Sequence, residues 1–197
     1  MTPSTPVEPE LVRAKDRATW RRWLQRHHSR TTGVWLELHK KGSRTGSVSY
    51  EDAVLEALCY GWIDSKANKL DEERFKLWMS PRKSRGVWSA INKRRVTELI
   101  AAGLMAPPGL AAVDAAKSDG AWTSLDPSDA LMIADDLATA LAAVPRSRSN
   151  FDGFPPGVRK QILQWINAAK RPETRAKRVG ETARLAGENI RANQWRG

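Results

Sequence analysis

The sequence predicts an α+β fold, predominantly helical, with a small sheet in the first half packed by helices and a helical C-terminal part. Three observations predict it. Apolar residues recur at helical spacing through most of the chain. Only two stretches, both before residue 82, alternate with the period of two that a strand requires. The 197 residues are 41% hydrophobic and 28% charged, which are globular values and exclude a fibrous or disordered chain.

Residues 1–10, with three prolines, read as a flexible arm. From about Leu11 to His28 the pattern is helical. Trp20, Trp23, Leu24 and His27 share one side, and Arg21, Arg22 and Arg26 the other. Val34, Leu36 and Leu38 then alternate with Trp35, Glu37 and His39, which is a strand, and GSRTGS at 42–47 is a turn. Ser49 followed by Asp52 is a capping-box variant that opens a helix running to about Trp62. Residues 65–80 form a second strand region folded at a charged turn, Asp71–Glu73. Within it Phe75, Leu77 and Met79 alternate with Lys76, Trp78 and Ser80, and Pro81 ends the run.

A strong helix follows from about Trp88 to Ala102, with Gly103 placed to cap it. A shorter helix spans Gly109 to about Lys117, residues 118–129 are loop-like, and Asp135–Ala143 is a short helix. PRSRSNFDGFPPG at 145–157 reads as a linker or hinge. The last two helices run from about Val158 to Ala169 and onward from Pro172, which suits a first helical turn. Ala176, Val179, Ala183, Ala186 and Ile190 form the packing stripe of the second. The predicted organisation is thus an arm at 1–10, an α+β domain at 11–144, a linker at 145–157 and a helical pair at 158–197.

The net charge of +11 is unevenly spread: +4 over residues 1–30, 0 over 31–70, +4 over 71–100, −5 over 101–145 and +8 over 146–197. Such a field favours anionic partners such as nucleic acid, phosphate or acidic lipid. No apolar run approaches the ~18 residues of a membrane span, and the opening MTPSTPVEPE has no apolar signal core. The single cysteine, Cys59, excludes an internal disulfide and fits a reducing compartment. The location expected from these features is cytoplasmic.

Several chemistries find no support. His27, His28 and His39 lack the spacing of a zinc site, and neither a nucleotide cradle (GxGxxG, GxxxxGK[ST]) nor a GxSxG elbow occurs. No cofactor and no metal are expected. Two segments remain. In EALCYGWID, Glu56 and Tyr60 lie one turn apart, and Cys59 and Asp64 bracket Gly61–Trp62; Cys59 reads as a buried small hydrophobe. In SPRKSRGVWSAIN, Arg82, Lys83 and Arg85 precede a helix amino end, where free N–H groups favour an anion. Trp88, Asn92, Val96 and Leu99 share a stripe, so Ser89 and Asn92 put polar groups on a face that should be apolar.

These motifs resemble the bacterial YdeI/OmpD-associated family, also labelled bacteriocin-protection proteins. The resemblance rests on Gly33-Val-Trp-Leu with Lys40-Lys41-Gly42, on ALCYGWIDS at 57–65, on Pro81-Arg82-Lys83 and on Trp88-Ser-Ala-Ile-Asn-Lys93. It continues through Gly103-Leu-Met105, Gly109-Leu-Ala-Ala112, Trp165-Ile166 and Ala169–Arg175, over roughly residues 15–185. Gly86 stands where the family usually has Ser, and Met79-Ser80 where Phe-Thr is common. The resemblance implies a small bacterial protein linked by name to protection against bacteriocins or cationic peptides. It implies no catalytic residues and no substrate. A +11 chain repels cationic peptides at long range, so simple sequestration is disfavoured.

Three functional readings follow. The first is a non-catalytic binding or stress-protection factor in which Glu56, Tyr60, Trp62, Asp64, Arg82, Lys83, Trp88, Ser89 and Asn92 line a Trp-rich cleft for a polar or anionic ligand. The second is an enzyme that uses Glu56 or Asp64 as acid/base on an anionic small molecule. The third is nucleic-acid binding through the basic amino- and carboxyl-terminal helices.

Overall fold

The computed structural model describes residues 9–194 except Lys41 and Arg44, and the chain divides into one unit ending at Trp122 and another beginning at Thr123. Most of the predicted arm at 1–10 lies outside the described residues. Among the described residues no helix is long and apolar enough to cross a membrane.

The first unit opens with a strand the periodicity does not reveal. β1 (Leu11–Arg13) pairs parallel with β2 (Val34–His39), Val12 opposite Leu36, and the Trp35 N–H donates to the Glu10 carbonyl. The helix expected from Leu11 therefore begins only at α1 (Arg17–His27). Asp16 sets that start, because its carboxylate accepts the Thr19 N–H at 2.7 Å and satisfies a donor the helix cannot. Trp20 and Leu24 are buried as the helical spacing requires.

β2 shows the expected alternation but is covered on both faces. Val34, Leu36 and Leu38 enter the core, yet Trp35 and Glu37 on the other face are only 8% and 5% exposed. Trp35 packs edge-on against Trp78 with the Lys66 and Lys76 ammonium groups over its ring. α2 (Tyr50–Cys59) starts at Ser49, whose hydroxyl accepts the Asp52 N–H and donates to the Asp52 carboxylate. It stops before Trp62, which instead opens β3 (Trp62–Lys69); Gly61, at φ +74°, turns the chain out of the helix. β3 folds back on β4 (Arg74–Pro81), completing a sheet in the order β1-β2-β4-β3 with β4 antiparallel to both neighbours.

α3 (Ala90–Ala101) is capped by the Ser89 hydroxyl rather than starting at Trp88. It ends as predicted: Gly103 has φ +67°, and the N–H groups of Gly103 and Leu104 return to the carbonyls of Ile100 and Leu99. α4 (Pro107–Ser118) lies so close to the end of α2 that a Cβ on Gly109 would stand 2.2 Å from the Cys59 carbonyl oxygen. Trp20, Leu24, Leu36, Leu58, Trp62, Met79, Trp88, Val96 and Val113 belong to this unit's core.

The second unit is helical: α5 (Asp126–Asp129), α6 (Asp135–Ala143), α7 (Ser147–Gly153), α8 (Pro156–Asn167) and α9 (Pro172–Gly187). The stretch 145–157, predicted as a linker, carries α7 and contributes Phe151 and Phe154 to the core. Its polar residues serve the fold: Ser147 donates to the Ala183 carbonyl and Asn150 to the Ala186 carbonyl. Val179, Ala183 and Ala186 of the α9 stripe are buried, while Ala176 is exposed and Ile190 lies beyond the helix end.

Candidate functional site

The residues singled out in the sequence fall into three groups in the first unit. Glu56, Tyr60 and Trp62 belong to the packing of α1 against α2. Glu56 is 2% exposed and its two oxygens accept from Arg17 Nε and Arg21 Nη1, each at 2.6 Å. Arg21 also donates to the Leu104 carbonyl and lies over the Tyr60 ring. Burial, ahead of the neighbouring Glu56 charge, pushes the Cys59 thiol up from its ordinary value, away from nucleophilic use. Trp62 is fully buried, donates to the His28 carbonyl and meets Trp23 edge-on. With both carboxylate oxygens engaged by guanidinium groups, Glu56 fastens α1 to α2.

Ser89 and Asn92 form a second group. The Asn92 N–H is the donor capped by Ser89, and its side-chain oxygen accepts from Arg95, which grips Glu51 through Nε and Nη2. The polar residue on the apolar stripe thereby positions a cross-helix ion pair.

The third group is Arg82, Lys83 and Trp88. The β3–β4 ladder brings the two predicted segments together: Trp62 stands opposite Pro81, and the Arg82 N–H donates to the Gly61 carbonyl at 2.9 Å. Trp88, 2% exposed, is fixed against Trp122 with ring centroids 5.0 Å apart. The Arg82 guanidinium carbon lies 3.5 Å from the Trp88 ring centroid, so the aromatic face sets the plane of the charge. Nη1 makes a long bond to the Val87 carbonyl. Nε and Nη2 are sealed from solvent and have no hydrogen-bond partner among the described residues. Burial pushes this guanidinium down to about 10, against a smaller upward pull from Asp64. Asp64 itself accepts from the Tyr50 hydroxyl at 2.8 Å; burial, then the Asp64 bond and charge, push that phenol up to about 12.

Nε and Nη2 form the side-on fork that receives an oxyanion bidentately. Three other arginines fill that fork with a carboxylate: Arg74 uses it on Asp71, Arg95 on Glu51 and Arg175 on Asp136. At Arg82 it is open. A cavity of about 70 Å³ adjoins it, walled by Arg82, Lys83, Arg85, Gly86 and Trp88 on one side and by Ala112, Ala116 and Asp119 on the other. Asp119 is a participant the sequence reading missed; its carboxylate accepts the N–H groups of Arg85 and Ala121 and so shapes the loop. No local pattern marks Asp119, because it reaches Arg85, which has φ +58°, from 34 residues further along the chain.

A further cluster gathers on the face of β2 opposite Val34, Leu36 and Leu38, where the sequence singled out no site. Glu37 accepts from Arg13 and Arg74, and His39 Nε2 stands 3.6 Å from it, beside an open recess on the sheet. Among the described residues no His, Cys, Asp and Glu side chains gather into a set that could hold a metal ion. On α9, Arg175 is engaged with Asp136, Arg184 with Glu188 and Arg178 with the Trp165 carbonyl, so these cations serve their own unit.

The division into two units recurs in comparison with known families. A model described as a domain of unknown function (DUF8412) matches residues 12–112, and one described as Bacteriocin-protection, YdeI or OmpD-Associated matches residues 130–189. The first model spans just over half of the chain, which belongs to that family; the second matches a segment of the second unit. The YdeI/OmpD-associated match includes Trp165-Ile166 and Ala169–Arg175, whereas the motifs between Gly33 and Ala112 fall within the domain of unknown function. Arg82, Lys83 and Trp88 therefore lie within the latter match, and Ala116 and Asp119 beyond its end. No curated protein and no solved structure matches the chain.

Proposed function

We propose that the protein is a non-catalytic binding factor of the stress-protection kind, acting in the cytoplasm, whose first unit receives an anionic small molecule at Arg82. The observation that carries this reading is the open side-on fork of Arg82, stacked on Trp88 and shut off from water. A buried donor pair without a partner costs on the order of 1–3 kcal/mol, more when charged. The same fork takes a carboxylate at Arg74, Arg95 and Arg175, so its buried donors at Arg82, stacked on Trp88, suit an oxyanion from outside the chain. Trp88 supplies an apolar wall and a fixed plane, and Lys83 at the exposed rim supplies attraction. Nothing in this arrangement activates a nucleophile or moves a proton, and binding suffices to account for it.

Native mass spectrometry of the purified protein tests the reading. The expected result is a bound small mass, released on denaturation and absent from Arg82→Met. A protein that carries no such mass and takes up none from an anionic metabolite extract refutes it, as does an adduct indifferent to Arg82→Met.

A further inference from the structure

We infer that the group received at Arg82 is the phosphate of a small phosphate monoester, an inference that rests on the binding role proposed above. Charge decides between the two anions that fit a guanidinium fork. Three cationic side chains, Arg82, Lys83 and Arg85, and one carboxylate, Asp119, wall the cavity. Both Asp119 oxygens already accept backbone N–H groups, which hold the carboxylate to the loop and leave its single negative charge in the wall. The wall thus carries a surplus of two positive charges, which a carboxylate leaves half-balanced and a phosphate monoester, close to −2 near neutral pH, balances.

Size points the same way. About 70 Å³ is roughly the liquid volume of two waters, enough for an anionic head group and far below the ~300–1,000 Å³ that encloses a drug-sized ligand. The body of the ligand therefore lies outside the cavity, and recognition concentrates on the head group. Two phosphate oxygens would take Arg82 Nε and Nη2, leaving a third for the Lys83 or Arg85 side. The turn that closes the loop is held by a bond from the Gly86 N–H to the Lys83 carbonyl, with Lys83, Ser84 and Arg85 exposed, so entry disturbs little of the core.

Calorimetric titration of the full chain at pH 8 with three probes tests this: phenyl phosphate, its methyl diester and phenylacetate. The diester keeps the phosphorus and loses one charge; phenylacetate keeps the ring and offers a carboxylate. Phenyl phosphate is expected to bind at least about tenfold tighter than either control, and Arg82→Met to abolish binding of all three. The exposed double variant Lys83→Gln/Arg85→Gln, which keeps the core intact, is expected to weaken phenyl phosphate about fivefold and to narrow its lead over the diester. Equal affinity for the monoester and phenylacetate, both lost in Arg82→Met, overturns the phosphate assignment and leaves the anion-binding role standing. Failure of all three probes to bind, or binding that Arg82→Met does not touch, overturns both.

Discussion

Adding one methyl group at two glycines is expected to move stability in opposite directions. At Gly109 the new Cβ would stand 2.2 Å from the Cys59 oxygen, 2.6 Å from its carbonyl carbon and 2.8 Å from the Leu58 oxygen. Such contacts settle near roughly 3.5 Å, so α4 would have to retreat from α2 by about 1 Å. That retreat stretches the 3.1 Å bond from the Ala106 N–H to the Cys59 carbonyl and loosens Val113 and Ala116 in the core. Overpacking costs about 1–3 kcal/mol and the weakened bond about 1 kcal/mol, against a gain of up to ~1 kcal/mol in helix propensity. The net expectation for Gly109→Ala is a loss of about 1–3 kcal/mol, or roughly 2–12 °C in the melting temperature. Gly180 sits within α9 with nothing within 4 Å of its would-be Cβ. There only the propensity gain remains, and Gly180→Ala should stabilise by about 0.5–1 kcal/mol. Urea unfolding followed by tryptophan fluorescence and far-UV circular dichroism measures both. A Gly109→Ala protein as stable as the parent refutes the close approach of α4 to the end of α2.

Arg82→Met should leave stability unchanged or raise it by ~1 kcal/mol, because it removes a buried charge whose fork has no partner; a loss of more than ~1 kcal/mol in the same unfolding assay would make Arg82 a structural strut. Glu56→Gln leaves Arg17 and Arg21 facing each other without the carboxylate, and a loss of about 2 kcal/mol is expected, reduced from the fully buried case because both arginines are about a third exposed. Unchanged stability in that variant refutes the fastening role. Arg175 holds the Asp136 carboxyl below its ordinary value, so this pair contributes above the unfolded carboxyl value near 4 and loses its contribution as pH falls through the lower folded value. The stability gap between the parent and Asp136→Asn, about 0.5–1 kcal/mol at pH 6, should therefore close below pH 4; a gap that persists at pH 2.5 contradicts the pairing.

Periodicity recovered the elements whose burial is one-sided. The β3–β4 hairpin, the α6 span, the cap at Ser49 and the termination at Gly103 were all legible, because each depends on neighbouring residues alone. What escaped depends on partners distant in sequence. β1 is three residues long and exists through its pairing with β2, so no local alternation could announce it. The enclosure of Glu37 was not legible in β2 alone, because the arginines that cover it arrive from β1 and β4. The stretch 145–157 has the composition of a hinge, yet Phe151 and Phe154 find a core to fill, and burial outweighs turn propensity. At the candidate site the sequence supplied Arg82, Lys83 and Trp88 as a group. It could not separate them from Glu56 and Trp62, because ion pairing and burial sort those residues only once α1 is in place.

The burial of Cys59 gives the molecule an internal clock. It is the chain's one thiol, wholly enclosed at the end of α2 beneath α4, and burial keeps it protonated. A thiol reagent in solution therefore reaches it only when that junction opens, and each labelling event timestamps one opening. Because the Cys59 carbonyl lies three residues before β3 and the Gly61 carbonyl receives the Arg82 N–H, the same clock runs next to the loop that a ligand must part. A ligand that steadies that loop and the junction together would slow the clock, so occupancy could be read as a delay with no spectroscopic tag.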